Sequence, residues 1–174
     1  MITTQARRFL TLRGEQTPVG QGRRRATWSQ LAGNTIARMA IEHTFIMVKP
    51  DGVARGLVGE IISRFERKGL TLEKIRTLTV DETLARRHYA EHLEKPFFPE
   101  LLDFITSGPV VAMEWSGDSA ITVSRALMGA TDPTKADSGT IRGDLGLLVT
   151  QNLVHGSDGP ESAVRELEMF FGSA

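Results

Sequence analysis

Cysteine is absent from all 174 residues. Disulfides, thiolate nucleophiles and cysteine-ligated zinc are thereby excluded, and a reducing compartment is compatible with the composition. No apolar run approaches the roughly 20 residues that a membrane-crossing helix needs, so no membrane partner is expected. The phosphate-binding G-x-x-x-x-G-K-[ST] loop is missing, as are G-x-G-x-x-G, the zinc-hydrolase H-E-x-x-H and the hydrolase G-x-S-x-G. Any phosphate chemistry must use another device. Histidine is scarce too, with four in the chain, so the position of each carries information.

What is present, 40% hydrophobic and 24% charged residues, is ordinary for a soluble globular chain, and the length suits one domain with a sizeable core. The formal charge of zero hides an asymmetry. Of 21 basic and 21 acidic residues, seven arginines and Glu15 alone fall in residues 1–41, which leaves 14 and 20 in residues 42–174, a net of −6. A mildly acidic body argues against nucleic acid as its main partner, because phosphate-backbone binding rests on a basic face. Residues 1–41 carry no sustained periodicity, are broken by Gly and Pro, and read as a flexible Arg-rich extension to a domain spanning 42–174. Such a composition suits a transit peptide or a basic arm. The plainer expectation is that translation begins at Met39, directly before the first strand, that residues 1–38 are dispensable, and that the protein is cytoplasmic. A transit peptide would place it in an organelle instead.

Along the body, Phe45–Val48 reads as a buried strand that ends in a turn at Lys49-Pro50-Asp51-Gly52. Leu57, Val58, Ile61, Ile62 and Phe65 share one helical face, and Gly69 stops that helix. A second strand is expected within Thr71–Val80, then a helix capped by Asp81 and running to about His92. Phe98–Thr106 is helical and Val110–Trp115 a third strand. Asp118 is expected to cap a helix ending at Gly129, and residues 130–138 to form a loop. Leu147–Val154 reads as a fourth strand that delivers His155 at its end. The last helix runs from Pro160 to Phe171, with Ala163, Val164, Leu167, Phe170 and Phe171 as its apolar stripe. The order β-α-β-α-α-β-α-β-α allows either a doubly wound parallel sheet or a split βαβ sheet, and periodicity does not choose between them.

Among chemical candidates, His88 and His92 stand one helical turn apart, as metal ligands do. A third ligand is missing from that face, and Glu91 sits at the wrong offset for a zinc hydrolase. His155 differs in kind. A histidine at a strand's carboxyl end, followed by a glycine that leaves room for a close ligand, lies where α/β active sites commonly lie. Ser157 and Asp158 offer polar partners, and Glu166 on the following helix can reach back to orient the ring and support its charged form. Arg125, near a helix end, and Arg142, read as lying in a loop, suit a guanidinium fork on phosphate oxygens. Lys49 closes the first strand. Singly, each of these charges also reads as solvated surface.

In order and spacing, IMVKPDGVARGLVGEIISRFERKGL, HYAEHLEKPFFPELLDFITSGPVVAM, MGATDP, GTIRGD and NLVHGSD resemble the nucleoside diphosphate kinases. The resemblance covers about residues 42–171. It implies an α/β sandwich of the ferredoxin-like kind, βαββαβ, with a four-stranded antiparallel sheet and helices packed on it. It implies a kinase in which His155 accepts phosphate, with Glu166 and Ser157 holding its ring. Lys49 and Asn152 match positions on the nucleotide's sugar hydroxyls, Lys49 also lying near the transferred phosphate. Tyr89 and Arg142 match positions near the γ-phosphate, and Arg125 and Thr131 positions on the inner phosphates. Phe97 matches the aromatic stacked on the base and Val149 the residue on its other face. Pro133 falls in a loop used in subunit contacts, so a homo-oligomer, hexamer or tetramer, is implied. Leu145 stands where many members have Phe, and Gly159-Pro160 replaces a commoner Ser-containing link, a change that bears on how Glu166 is aimed.

The chemistry fits the implied roles. Phosphoryl transfer needs positioning and charge neutralisation above all, and Lys49, Arg125, Arg142 and a Mg²⁺ carried on the nucleotide would supply the charge, with no metal ligand from the protein. A histidine nucleophile lets ATP and a nucleoside diphosphate use one site in turn. Two rivals follow from the same residues: a catalytically silent nucleotide- or nucleic-acid-binding member of the fold, and a metal hydrolase built on His88 and His92.

Overall fold

The structure, a computed structural model, describes residues 41–172; the readings made on residues 1–40 lie outside the described residues. Strand β1 (Ile41–Val48) leads through a short helix α1 (Pro50–Ala54) into α2 (Val58–Lys68), and β2 (Thr71–Thr79) follows. Next come α3 (Glu82–His88), a 3₁₀ turn (Ala90–His92), α4 (Phe98–Thr106), β3 (Pro109–Asp118) and α5 (Ala120–Met128). A second 3₁₀ turn (Pro133–Lys135), α6 (Ile141–Leu145), β4 (Val154–Gly156) and α7 (Pro160–Phe171) complete the chain.

The sheet order is β2-β3-β1-β4, with every neighbouring pair antiparallel. Because β3 lies between β1 and β2, and β1 between β3 and β4, both crossovers are split. This is the ferredoxin-like arrangement, and the parallel alternative is ruled out. Alternation along the two central strands feeds two cores. Ile46, Val48, Met113 and Trp115 pack with Ile61 and Phe65 of α2 and with Met128 and Ile141. Phe45, Met47 and Ala112 point the other way, onto Ala85, Tyr89, Phe98, Ile105 and Phe170.

Several local expectations need correction. The KPDG stretch is a helical turn with Pro50 in its first turn, where proline's missing N–H costs nothing. Asp118 ends β3 and caps nothing; Ser119, at φ 52°, starts α5. The amide of Ile121 in its first turn is satisfied instead by Glu42 of β1. GTIRGD is not loop: Thr140 accepts from the Gly143 amide and opens α6, which carries Arg142. The fourth strand is only three residues long. Leu147, Leu148 and Val149 are exposed before it, having no neighbouring strand to pair with. The helix expected to run on to His92 stops at His88 and tightens into the 3₁₀ turn. Val164 in the expected stripe of α7 is exposed, whereas Glu166 is buried.

Candidate active site

Antiparallel pairing of β4 with β1 sets His155 opposite Met47, in the middle of its strand and not at the carboxyl end. What precedes it is a tight reversal. The Val154 amide donates to the Asn152 carbonyl at 2.8 Å around Leu153, whose φ is 69°. Such a three-residue turn is strained and persists only where its surroundings hold it. Here they do. The Leu153 amide donates to Asp51 of α1, and its carbonyl accepts from the Lys49 amide at 2.8 Å. The reversal turns Asn152 and His155 into one cleft.

The His155 ring is 23% exposed, and its Nε2 lies 2.9 Å from Oε1 of Glu166, a side chain only 4% exposed. A carboxylate can only accept, so Nε2 carries the proton and donates it. The lone pair of the neutral ring is then on Nδ1, which has no hydrogen-bond partner among the described residues. Ser157 makes no hydrogen bond to the ring. Its hydroxyl donates to Oε2 of Glu166 at 2.6 Å and so fixes the carboxylate that fixes the imidazole. Glu166 is aimed correctly despite the Gly159-Pro160 link, because Ser162 takes over the cap of α7: its hydroxyl accepts from the Gly159 amide and donates to Asp158 at 2.6 Å. That bond holds the Asp158 carboxyl below its ordinary range. The glycine at 156 has a second role beside the cleft it lines: a side chain there would meet the ends of Met128 and Ile46, so its absence also lets α5 pack closely on β4.

Lys49 is buried at the N-terminus of α1, and its ammonium donates to Oδ1 of Asn152 at 2.8 Å. Burial, then the nearby Arg142 charge, lowers its pKa to about 8 against the opposing effect of Asp51. The Asn152 amide donates to the Thr131 carbonyl, so both ends of that side chain are fixed. Arg142 spends its guanidinium on three backbone carbonyls, those of Gly129, Asn152 and Val154, at 2.7–3.2 Å. It braces the cleft wall first, and what it offers a ligand is the remaining N–H groups. Burial and then Arg125 bring it down to about 10, still cationic near neutrality. Tyr89 is buried, its hydroxyl has no hydrogen-bond partner among the described residues, and burial raises its pKa, so it stays a neutral donor.

These residues meet in a cleft of about 840 Å³, within the size range of small-molecule sites. All eleven side chains singled out from the sequence belong to it or, for Ser157, stand directly behind it. At the rim Phe97 is 49% and Val149 53% exposed. Arg125 and Thr131 are exposed there too, and the Arg125 guanidinium makes no hydrogen bond among the described residues.

The His88–His92 pair does not form a metal site. His92, in the 3₁₀ turn, faces Tyr89 and Phe97. Sequence reasoning missed where His88 goes: its ring centroid lies 4.5 Å from that of His155, edge-on. Burial first, and His155 second, keeps it well below the ordinary histidine range and hence neutral. Its position on the buried face of α3, in register with Ala85, was the available signal.

Residues 42–174 match the family model described as nucleoside diphosphate kinase. A nucleoside diphosphate kinase of Halalkalibacterium halodurans is 58% identical over 134 residues, covering 77% of this chain and 91% of that one. One from Frankia casuarinae is 59% identical over 133 residues, 76% of this chain and 97% of the other. Among solved structures, a halophilic nucleoside diphosphate kinase from Halobacterium salinarum in complex with CDP superposes with a TM-score of 0.74 at 53% identity, covering 76% of this chain and 88% of that chain.

Proposed function

This chain belongs to the nucleoside diphosphate kinase family, and on that premise we propose that its phosphoryl transfer runs through Nδ1 of His155. The single observation that carries the assignment is the Glu166–Nε2 hydrogen bond, which leaves the lone pair on the other nitrogen. A neutral imidazole needs no base to become nucleophilic, whereas the Ser157 hydroxyl would. In the first half-reaction Nδ1 forms a bond to the γ-phosphorus of ATP, the bond to the β–γ bridging oxygen breaks, and ADP leaves with that oxygen. The ring, now holding phosphate on one nitrogen and a proton on the other, carries positive charge that Glu166 compensates. In the second half a terminal oxygen of a nucleoside diphosphate takes the phosphoryl group and the neutral ring returns.

The nucleotide's base lies between Phe97 and Val149, where stacking accepts any base; the CDP bound by the Halobacterium relative is consistent with this tolerance. Lys49 and Asn152 hold the sugar hydroxyls, with Lys49 near the transferred group, where Tyr89 donates to it. Arg125 and Thr131 contact the inner phosphates, and the free N–H groups of Arg142 the γ-phosphate. Mg²⁺ bound to those phosphates would spread their negative charge. It would be held by the nucleotide, because the cleft carboxylates Glu91, Asp158 and Glu166 do not gather into an oxygen cage among the described residues.

The intact set of polar residues in one cleft disfavours the catalytically silent reading, and the separation of His88 from His92 removes the hydrolase reading. We also propose a homo-oligomer, tetramer or hexamer, supported by the outer edge of β2, which pairs with no strand among the described residues and exposes Ile75; light scattering reads the subunit number. A cytoplasmic location and the dispensability of residues 1–38 belong to the same proposal, with import into an organelle as the alternative that fractionation would reveal. The mechanism is tested with γ-labelled ATP and no acceptor. Label on His155 should survive alkali, be lost in mild acid, and be discharged by any nucleoside diphosphate. His155→Ala abolishes both steps, while Ser157→Ala only slows them. Acid-stable label, or turnover by His155→Ala, would sink the assignment.

A further inference from the structure

His88 is the unexplained group of the cleft. Its side chain has no exposed surface, and neither ring nitrogen has a hydrogen-bond partner among the described residues. A neutral imidazole buried this way leaves both a donor and an acceptor unsatisfied, a cost that calls for an account. Its Nδ1 lies 3.8 Å from Oε1 of Glu166, the same oxygen that receives Nε2 of His155 at 2.9 Å. One ligand atom from each of the three residues falls within 4.8 Å of the others.

We propose that His88, His155 and Glu166 form an inhibitory site for a zinc-class divalent cation, distinct from the Mg²⁺ that accompanies the nucleotide. Two imidazoles and one carboxylate are a donor set for Zn²⁺ and unsuited to Mg²⁺, which takes oxygens in an octahedron. Ligand atoms about 2.0–2.2 Å from a tetrahedral zinc stand about 3.4 Å apart, so the separations found here bracket that value and small side-chain shifts suffice. Solvent from the cleft supplies the fourth ligand. The inhibition rests on the reading of His155 as nucleophile. A neutral ring with metal on Nε2 must carry its proton on Nδ1, so the proton now donated to Glu166 moves through solvent to the other nitrogen. The lone pair that would attack phosphorus is then covered.

The test uses the full chain, freed of metal and without nucleotide, titrated with Zn²⁺ by calorimetry and followed by ¹⁵N shifts of the histidine rings. The expected result is one ion per chain, with metal-bound shifts at His88 and His155, an Nδ1–H tautomer at His155, and loss of label uptake that a chelator restores. His88→Gln should weaken binding by about tenfold or more, since the loss of even a group that only supports a ligand costs that much, and Co²⁺ in the unaltered chain should give a tetrahedral electronic spectrum. No saturable binding, or binding that moves only His43 and His92 and ignores His88→Gln, overturns the site while leaving the nucleophile to its own labelling test. Zinc bound with the tautomer switched but label uptake undiminished overturns the inhibition, and with it the assignment of Nδ1.

Discussion

The floor of the cleft and its rim are built on opposite plans. On the floor Glu166, Ser157, Asn152, Lys49 and Arg142 are buried and tied to one another or to backbone carbonyls. At the rim Phe97 and Val149 are half exposed, and the Arg125 guanidinium holds no partner among the described residues. The floor is fixed before substrate arrives, so its groups cost little reorganisation when charge develops on the transferred phosphate. The rim presents area and charge without a fixed geometry, which suits ligands that share phosphates and differ in their bases. Rate should therefore depend on the floor and base tolerance on the rim.

The largest break in that division is Glu166→Gln. It removes the charge that holds the proton on Nε2 and compensates the phosphorylated ring, so kcat should fall by about 10²–10⁴, the range seen for buried groups that fix an imidazole tautomer. The KM for nucleoside diphosphates should move far less. Steady-state kinetics check both, and an equal rise in KM would place Glu166 in binding and not in rate.

Lys49 gives the next effect. Burial disfavours its ammonium, so in the free enzyme the charge is lost as pH rises through about 8, and kcat/KM should fall by about tenfold per unit above it. The stability contribution has the opposite sign. The unfolded chain keeps that proton up to the ordinary lysine range, binds more protons than the folded one above pH 8, and so this group makes stability rise with pH there. A thermal midpoint that holds while activity falls separates titration of Lys49 from unfolding.

Phe97→Ala sharpens the rim's side of the comparison. With Phe97 stacking on the base as proposed, the loss should weaken every nucleotide by a similar amount, about 1–3 kcal/mol by analogy with single-stranded bases. A loss confined to guanine would mean that a side chain reads base edges. The smallest effect belongs to a chain that starts at Met39. The family match begins at residue 42, so thermal midpoint and turnover should stay as they are, and a large loss of either would show that residues 1–38 serve the domain.

Much of the fold was legible because local signals agreed. The bounds of Phe98–Thr106 and Pro160–Phe171, and the stop at Gly69, follow from apolar spacing, a first-turn proline and a left-handed glycine. What failed locally had a distant cause. Asp118 looked like a cap, but the amide of Ile121 found Glu42 on another strand. Leu147–Val149 looked like a strand but had no neighbouring strand to pair with. The spacing of His88 and His92 looked like a ligand pair until α3 ended between them.

By itself the sequence determined the element order, the residue types that could carry phosphoryl transfer, and, through the motifs around GTIRGD and NLVHGSD, the family. Only the tertiary structure decided which strand lies beside which, because pairing partners are chosen by long-range packing and not by local period. It also decided the division of labour in the cleft: that Ser157 holds Glu166 and not the ring, that Arg142 braces three carbonyls, and that His88 is sealed beside His155. Each of those depends on side chains 9 to 67 positions apart in the chain reaching hydrogen-bond or ring-contact distance, and no spacing along a sequence encodes a distance across a fold.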